Sequence, residues 1–267
     1  MNTSIPLKIH YCWFGGNPLP ELAKKCIASW QKFLPNYEIK RWDETNFDLN
    51  SCNYIKEAYQ AKKWAFVSDY ARFSILYKYG GLYFDTDVEI IKPFDDILCK
   101  GAFMGLESDA PDITVNPGLG LAAKPGLELY KDILNLYHKL HFINPDGTLN
   151  TTTVVAYTTE ILKKYGLMNN PGLQKVANIS IYPKEYFCPK DYLTGDIIIT
   201  PKTVAIHHYD ASWWGKEALY TRSLRQKIGR FLPKPFVYYP ARLISFLKFH
   251  SFKEGIKLLL HKFAPKK

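Results

Sequence analysis

Residues 64–91, "WAFVSDYARFSILYKYGGLYFDTDVEII", pass from a helical pattern to a β-prone run with only two glycines between them. The helix begins upstream, within a pattern over 53–79 that is interrupted near Lys62, and it stops at Gly80-Gly81, where a helix C-terminus favours glycine. The chain opens in a compatible way. "LKIHYCWF" (7–14) reads as a buried strand ending at Gly15-Gly16, "ELAKKCIASWQKFL" carries Leu22, Cys26, Trp30 and Phe33 at helical spacing, and "YEIKRWD" reads as a second strand. This β-α-β opening predicts a parallel sheet with crossover helices. Further strands are expected at 102–106, 113–122 and 197–207, with helices at 126–141 and 151–165.

The β-prone run holds two aspartates, Asp85 and Asp87, one residue apart. In a strand, alternation would put Tyr83, Asp85 and Asp87 on one side and Leu82, Phe84 and Thr86 on the other. Two carboxylates converging near a strand's C-terminal end are costly in desolvation and repulsion, and a divalent cation removes that cost. Oxygen ligands suit Mg²⁺ or Mn²⁺, and ligands of open α/β sheets bind beyond the carboxyl ends of the strands. The competing reading is a surface strand with two solvated aspartates. On the preceding helix Asp69 and Arg72 stand at i, i+3, either aimed at the same place or forming an ordinary surface ion pair.

The composition, 47% hydrophobic over 267 residues, suits one large domain or a domain with an appendage. Five cysteines without a C-x-x-C pair suggest neither a disulfide framework nor a zinc site, which points to a reducing, cytoplasmic setting. The N-terminus has no signal-peptide pattern and no run is long enough to span a membrane, so a soluble or peripheral protein is expected. The net charge of +10 sits at one end: residues 216–267 hold thirteen Lys/Arg against two Glu. That division separates a catalytic domain, 1–215, from a basic amphipathic extension, 216–267, which reads as a surface anchor on an anionic membrane at the cytoplasmic face, or as a solvated helical face. Basic residues alternate there with bulky aliphatic ones, and the absence of a recognised module argues against nucleic acid as a partner.

"IHYCWFGG", then "SDYARFSILYKYGGLYFDTDVEIIKP", then "AIHHYDASWW" together resemble glycosyltransferase family 32, the D-x-D sugar transferases of yeast-type initiating mannosyltransferases and bacterial capsule and lipopolysaccharide enzymes. The glucosylating bacterial toxins look like distant relatives. The string S-D-x-x-R-x-x-x-L-x-x-x-G-G-x-Y-x-D-x-D runs unbroken from Ser68 to Asp87. The resemblance implies a GT-A fold, a Rossmann-like mixed sheet flanked by helices, that binds a nucleotide-diphospho-sugar with Mn²⁺ or Mg²⁺ on the diphosphate. By the same resemblance Trp13 would stack on the nucleobase, Asp69 and Arg72 would hold the donor sugar, Tyr83 would pack beside the donor, and Asp85 and Asp87 would bind ribose and metal. His208 would complete the metal shell, and Ser212 with Trp213 or Trp214 would close over the diphosphate. Trp13 also reads as a core aromatic, and either histidine as a hydrogen-bonded structural residue; alternation lets only one of His207 and His208 face the site. Asn116 in "TVNPGLG" reads either as a sugar-pocket residue or as a plain turn. The acceptor region, "LNTTTVVAYTTE", departs from the family pattern.

The implied activity is transfer of a hexose from a UDP- or GDP-sugar to a saccharide or lipid-linked saccharide in surface-polysaccharide or lipopolysaccharide synthesis, with retention of configuration. Front-face attack is expected, with Arg72 and the cation stabilising the leaving group. "FDTDVE" also fits the signature of aspartate-nucleophile phosphohydrolases, although that class opens its fold with the motif. A non-catalytic, membrane-bound binding module led by the tail is the third reading.

Overall fold

The computed structural model describes residues 5–109, 111–210, 215–233 and 236–250. Its N-terminal part follows the β-α-β expectation: strand β1 (Lys8–Cys12), helix α1 (Glu21–Phe33) and strand β2 (Glu38–Trp42), with β1 and β2 parallel. Helices α2 (Asn53–Gln60) and α3 (Trp64–Tyr79) are separated where Lys62 takes φ 57°, the break expected there. Helix α3 buries Phe66, Val67, Asp69, Tyr70, Ala71, Arg72, Phe73, Ile75 and Leu76, so it is enclosed around most of its circumference. It ends on Gly80, at φ 63°, and Gly81, at φ 98°; a side chain at Gly81 would meet the Lys8 carbonyl oxygen 2.6 Å away. The glycine pair thus lets α3 turn straight into strand β3 (Gly81–Tyr83), which lies parallel to β1.

The expected long strand is broken at the aspartates. β3 stays in the main sheet, a turn closed by the Val88 N–H donating to the Asp85 carbonyl at 3.0 Å follows, and strand β4 (Val88–Ile90) leaves for a second, two-stranded sheet. The chain continues through helix α4 (Asp95–Leu98), strands β5 (Phe103–Ser108), β6 (Thr114–Asn116) and β7 (Leu121–Ala123), helices α5 (Glu128–Tyr137) and α6 (Val154–Lys164), strands β8 (Gln174–Val176) and β9 (Ile179–Tyr182), helix α7 (Lys184–Phe187) and strand β10 (Ala205–His207). The single strand expected over 113–122 is two strands, because Pro117–Leu119 form a 3₁₀ turn between β6 and β7. Of the strand expected over 197–207 only β10 forms. The β8-β9 hairpin was not expected.

The main sheet runs β2-β1-β3-β7-β5-β9-β8, with β6 beside β5, and it mixes parallel and antiparallel pairs. β10 pairs antiparallel with β4, setting His207 opposite Val88. A mixed sheet flanked by helices is the architecture a GT-A enzyme requires. The core on the α3 side of the sheet is strongly aromatic: Tyr54 packs edge-on to Tyr137 and Phe142, and Phe73 edge-on to Tyr130.

The chain divides into two compact units. The larger comprises Met1–Pro189 with Ile199–His208, and the smaller comprises Lys190–Ile198 with Tyr209–Lys267. In the smaller unit helices α8 (Lys216–Gly229) and α9 (Tyr238–Phe249) pair with each other. The Ser245 side chain is buried and accepts from the Thr221 hydroxyl at 2.6 Å.

Candidate active site

The site lies at the carboxyl ends of β1 and β3. These strands are parallel, with His10 beside Tyr83. Trp13, three residues past His10, and Asp85, two past Tyr83, therefore leave the same sheet edge. The intervening backbone is stitched: the Phe84 N–H donates to the His10 carbonyl at 3.2 Å, and the Trp13 N–H to the Trp42 carbonyl at 2.8 Å. Trp13 is half-buried and its indole N–H donates to the Asn17 carbonyl at 2.6 Å, which fixes the ring at the mouth of the edge. Behind it, Gly15 packs on Trp64, with no room for a side chain.

Asp85, Asp87 and His207 form a group whose potential ligand atoms all lie within 4.8 Å of one another. His207 Nε2 stands 3.2 Å from Asp87 Oδ1. Two carboxylates and a buried imidazole make an oxygen-rich donor set that fits a hard divalent cation such as Mg²⁺ or Mn²⁺, with places left for phosphate oxygens and water. Burial opposes protonation of His207, but Asp87 and the other nearby acids outweigh it and raise its pKa above 6.5.

The histidine brought to the pair is His207, whereas the resemblance points to His208. The register decides it. β10 pairs with β4 so that His207 turns toward Asp87, and the next residue points away, where His208 Nε2 meets Glu89 Oε2 at 2.8 Å. Glu89 is also bridged by Lys25 at 3.0 Å, so His208 belongs to a separate ion cluster.

Beneath the carboxylates sits Arg72. Its Nη2 is 2.8 Å from Asp69 Oδ1 and 3.3 Å from Asp85 Oδ1, its Nε donates to the Ser68 carbonyl, and its guanidinium covers the Tyr83 ring at 5.1 Å. The Arg72 side chain is only 4% exposed, and that of Asp69 12%. Burial works against the charged guanidinium, and Asp85, Tyr83 and Asp69 more than offset it, so its pKa rises and it stays charged. Burial pushes the Asp69 carboxyl up to about 7 against the pull of Arg72, and the Val154 N–H at the start of α6 also supports the carboxylate. The Asp69–Arg72 pair, expected either to hold the donor sugar or to be an ordinary surface pair, is buried, and Arg72 fastens Asp85 to helix α3.

Tyr83 lies against the same carboxylate. It is 1% exposed, and its hydroxyl donates to Asp85 Oδ1 at 3.2 Å. Cys12, buried against it, has a thiol pushed up to about 12 by burial, which keeps it inert. On the other flank Asn116 behaves as a turn residue: its Oδ1 accepts the Gly118 N–H at 2.6 Å and its Nδ2 donates to Glu107 Oε1 at 3.0 Å. Gly118 matters because a Cβ there would run into Asp85 Oδ2. The expected diphosphate clamp, Ser212 with Trp213 or Trp214, lies outside the described residues.

His207 was weighed from the sequence only as the alternative to His208, on the adjacent pair of histidines after "TVAI", and Gly118 and Glu107 were not singled out. The signal for Gly118 was only a glycine in "NPG", and for Glu107 there was none.

Residues 20–104 match the model of the glycosyltransferase sugar-binding region containing DXD motif. Inositol phosphoceramide mannosyltransferase 1 of Schizosaccharomyces pombe (strain 972 / ATCC 24843) is 32% identical over 109 residues, which cover 38% of this chain and 33% of the relative. The chain thus spans about a third of the length of the curated relative it matches. Among solved structures, PaToxG glycosyltransferase aligns with TM-score 0.46 and 18% identity over 60% of this chain and 69% of its own. A glycosyltransferase involved in glycosylation of the major capsid of PBCV-1 aligns with TM-score 0.43 and 12% identity over 84% and 99%. The matched region contains α3, the glycine pair and both aspartates, so the family resemblance read from those residues holds.

Proposed function

We propose that this chain, with the DXD region of the sugar transferases between its residues 20 and 104, is a metal-dependent glycosyltransferase that moves a hexose from a UDP- or GDP-sugar to a saccharide acceptor. The observation that carries the reading is the Asp85–Asp87–His207 group at the carboxyl ends of two parallel strands, inside and opposite the matched region. The mannosyltransferase name of the yeast relative favours a hexosyl donor. An acceptor destined for surface polysaccharide or lipopolysaccharide extends the reading further.

When bound, a divalent ion supplies positive charge to the departing diphosphate. The chain's residues prepare for it. Arg72 and Tyr83 fix the Asp85 carboxylate so that it needs little reorganisation, which is where electrostatic preorganisation gains its effect. His207, held beside Asp87, offers its imidazole nitrogen to the same ion. Trp13, anchored through Asn17, presents an aromatic ring at the same edge for a nucleobase. With Asp85 engaged by Arg72 and Tyr83, and Asp87 by His207, neither carboxylate is positioned as a covalent nucleophile. Given the retention that the family resemblance implies, that favours front-face attack by the acceptor hydroxyl. It also disfavours the phosphohydrolase reading, in which Asp85 would have to attack phosphorus.

The test is hydrolysis or transfer with a panel of UDP- and GDP-sugars, with Mn²⁺, with Mg²⁺ and with chelator. Metal-dependent sugar release lost in Asp87→Asn supports the assignment. Phosphate release from simple phosphoesters without any donor requirement would support the hydrolase. A biological role that survives Asp87→Asn intact would support the non-catalytic module.

A further inference from the structure

The smaller unit carries an apolar surface that the transfer reaction does not use. On and just before α9, Phe236, Tyr239, Leu243 and Leu247 follow one another in steps of three and four residues, so they line one face of the helix. All four are exposed, Tyr239 to 83%, and Phe231 in the preceding segment reaches 85%. The opposite face is the one that packs: Ala241 and Ser245 are buried, Lys248 lies over Tyr220 at 3.8 Å, and Tyr220 meets Phe249 edge-on at 5.7 Å. The exposed stripe is therefore a second face of α9, beyond the one used against α8.

The surface around it is basic. Arg242 flanks the stripe, and α8 adds Lys216, Arg222, Arg225 and Lys227 with Glu217 as its one acid. Across residues 216–267 the excess is thirteen basic residues over two acidic ones. This charge selects among occupants. A second copy of the same face would bring two strongly positive surfaces together. Nucleic acid would satisfy the charge but leave Phe236, Leu243 and Leu247 in water. A bilayer with anionic headgroups satisfies both requirements, since rings and aliphatic chains enter the interface while Lys and Arg meet the headgroups. Among the described residues no helix is long and apolar enough to cross a membrane, so the helix would lie in the surface plane.

We infer that α9 docks the protein on anionic membrane surfaces, with Phe236, Tyr239, Leu243 and Leu247 entering the interface and Arg242 at its border. The inference concerns the smaller unit and goes beyond the transferase reading, so it is measured without any sugar nucleotide. The full chain is floated with vesicles of phosphatidylcholine alone and of phosphatidylcholine mixed with phosphatidylglycerol, at low and raised salt. Binding is expected only to the mixed vesicles, and salt weakens it by screening the basic border. L243E/L247E and, separately, K227Q/R242Q lower the bound fraction by about tenfold or more. Both leave the circular dichroism and the metal-dependent donor hydrolysis of the wild type unchanged, because every altered side chain is exposed on the smaller unit. Equal binding of wild type and L243E/L247E overturns the inference. So does equal binding to neutral and anionic vesicles, or a self-association that L243E/L247E abolishes in a chain that ignores vesicles.

Discussion

The guanidinium of Arg72 lies 3.3 Å from Asp85 Oδ1 while the same nitrogen is 2.8 Å from Asp69, so one buried cation ties the first aspartate of the DXD pair to the helix that precedes it. Removing a partner from such a cluster strands a charge in the interior. Arg72→Met is expected to destabilise the fold by about 3–5 kcal/mol, and Asp69→Asn in the same chain recovers part of that loss. Urea unfolding at neutral pH, comparing the single and double variants, measures both.

Much of this arrangement was legible in the sequence, and the exceptions share a cause. The helix end at Gly80-Gly81 was legible because the constraint is local: the backbone itself must turn tightly and pass close to Lys8. The pairing of Asp69 with Arg72 was legible as a spacing. Its burial was not, because burial is set by contacts distant in sequence, and the Val154 N–H that meets Asp69 is likewise brought in from the start of α6. Alternation along a strand was the wrong basis for the aspartates, since they sit in a turn between two sheets. The choice between His207 and His208 likewise turned on the pairing of β10 with β4, a long-range register that no local pattern encodes.

Gly118 faces Asp85 so closely that a methyl group must displace the carboxylate. Gly118→Ala is therefore expected to weaken Mn²⁺ binding by about tenfold or more, equivalent to about 1.4 kcal/mol, with a much smaller effect on thermal stability. Calorimetric titration of the metal, alongside a melting curve, separates the two effects.

His10 gives the fold a pH dependence of its own. It is fully buried; its Nδ1 accepts the Trp42 indole N–H at 3.1 Å, and its Nε2 lies 3.0 Å from the Gly80 carbonyl, so the ring is neutral with the proton on Nε2. Burial lowers its pKa from 6.5 to about 4. Between those values the unfolded chain takes up a proton that the folded chain refuses. Stability should therefore fall as pH drops from 6.5 toward 4, by up to about 3 kcal/mol from this group. Urea midpoints across that range should fall more steeply for wild type than for His10→Gln, which starts less stable but has lost this proton linkage.

The central claim is that Asp85, Asp87 and His207 together hold the divalent ion on which sugar transfer depends. The most direct measurement is Mn²⁺-dependent donor hydrolysis, with Mn²⁺ affinity determined in parallel, for Asp87→Asn, His207→Ala and His208→Ala. The account predicts that the first two lose metal affinity and hydrolysis together, while His208→Ala keeps both within a few-fold of wild type. Wild-type hydrolysis that persists in chelator, or a His208→Ala variant that fails while His207→Ala retains full activity, would contradict it.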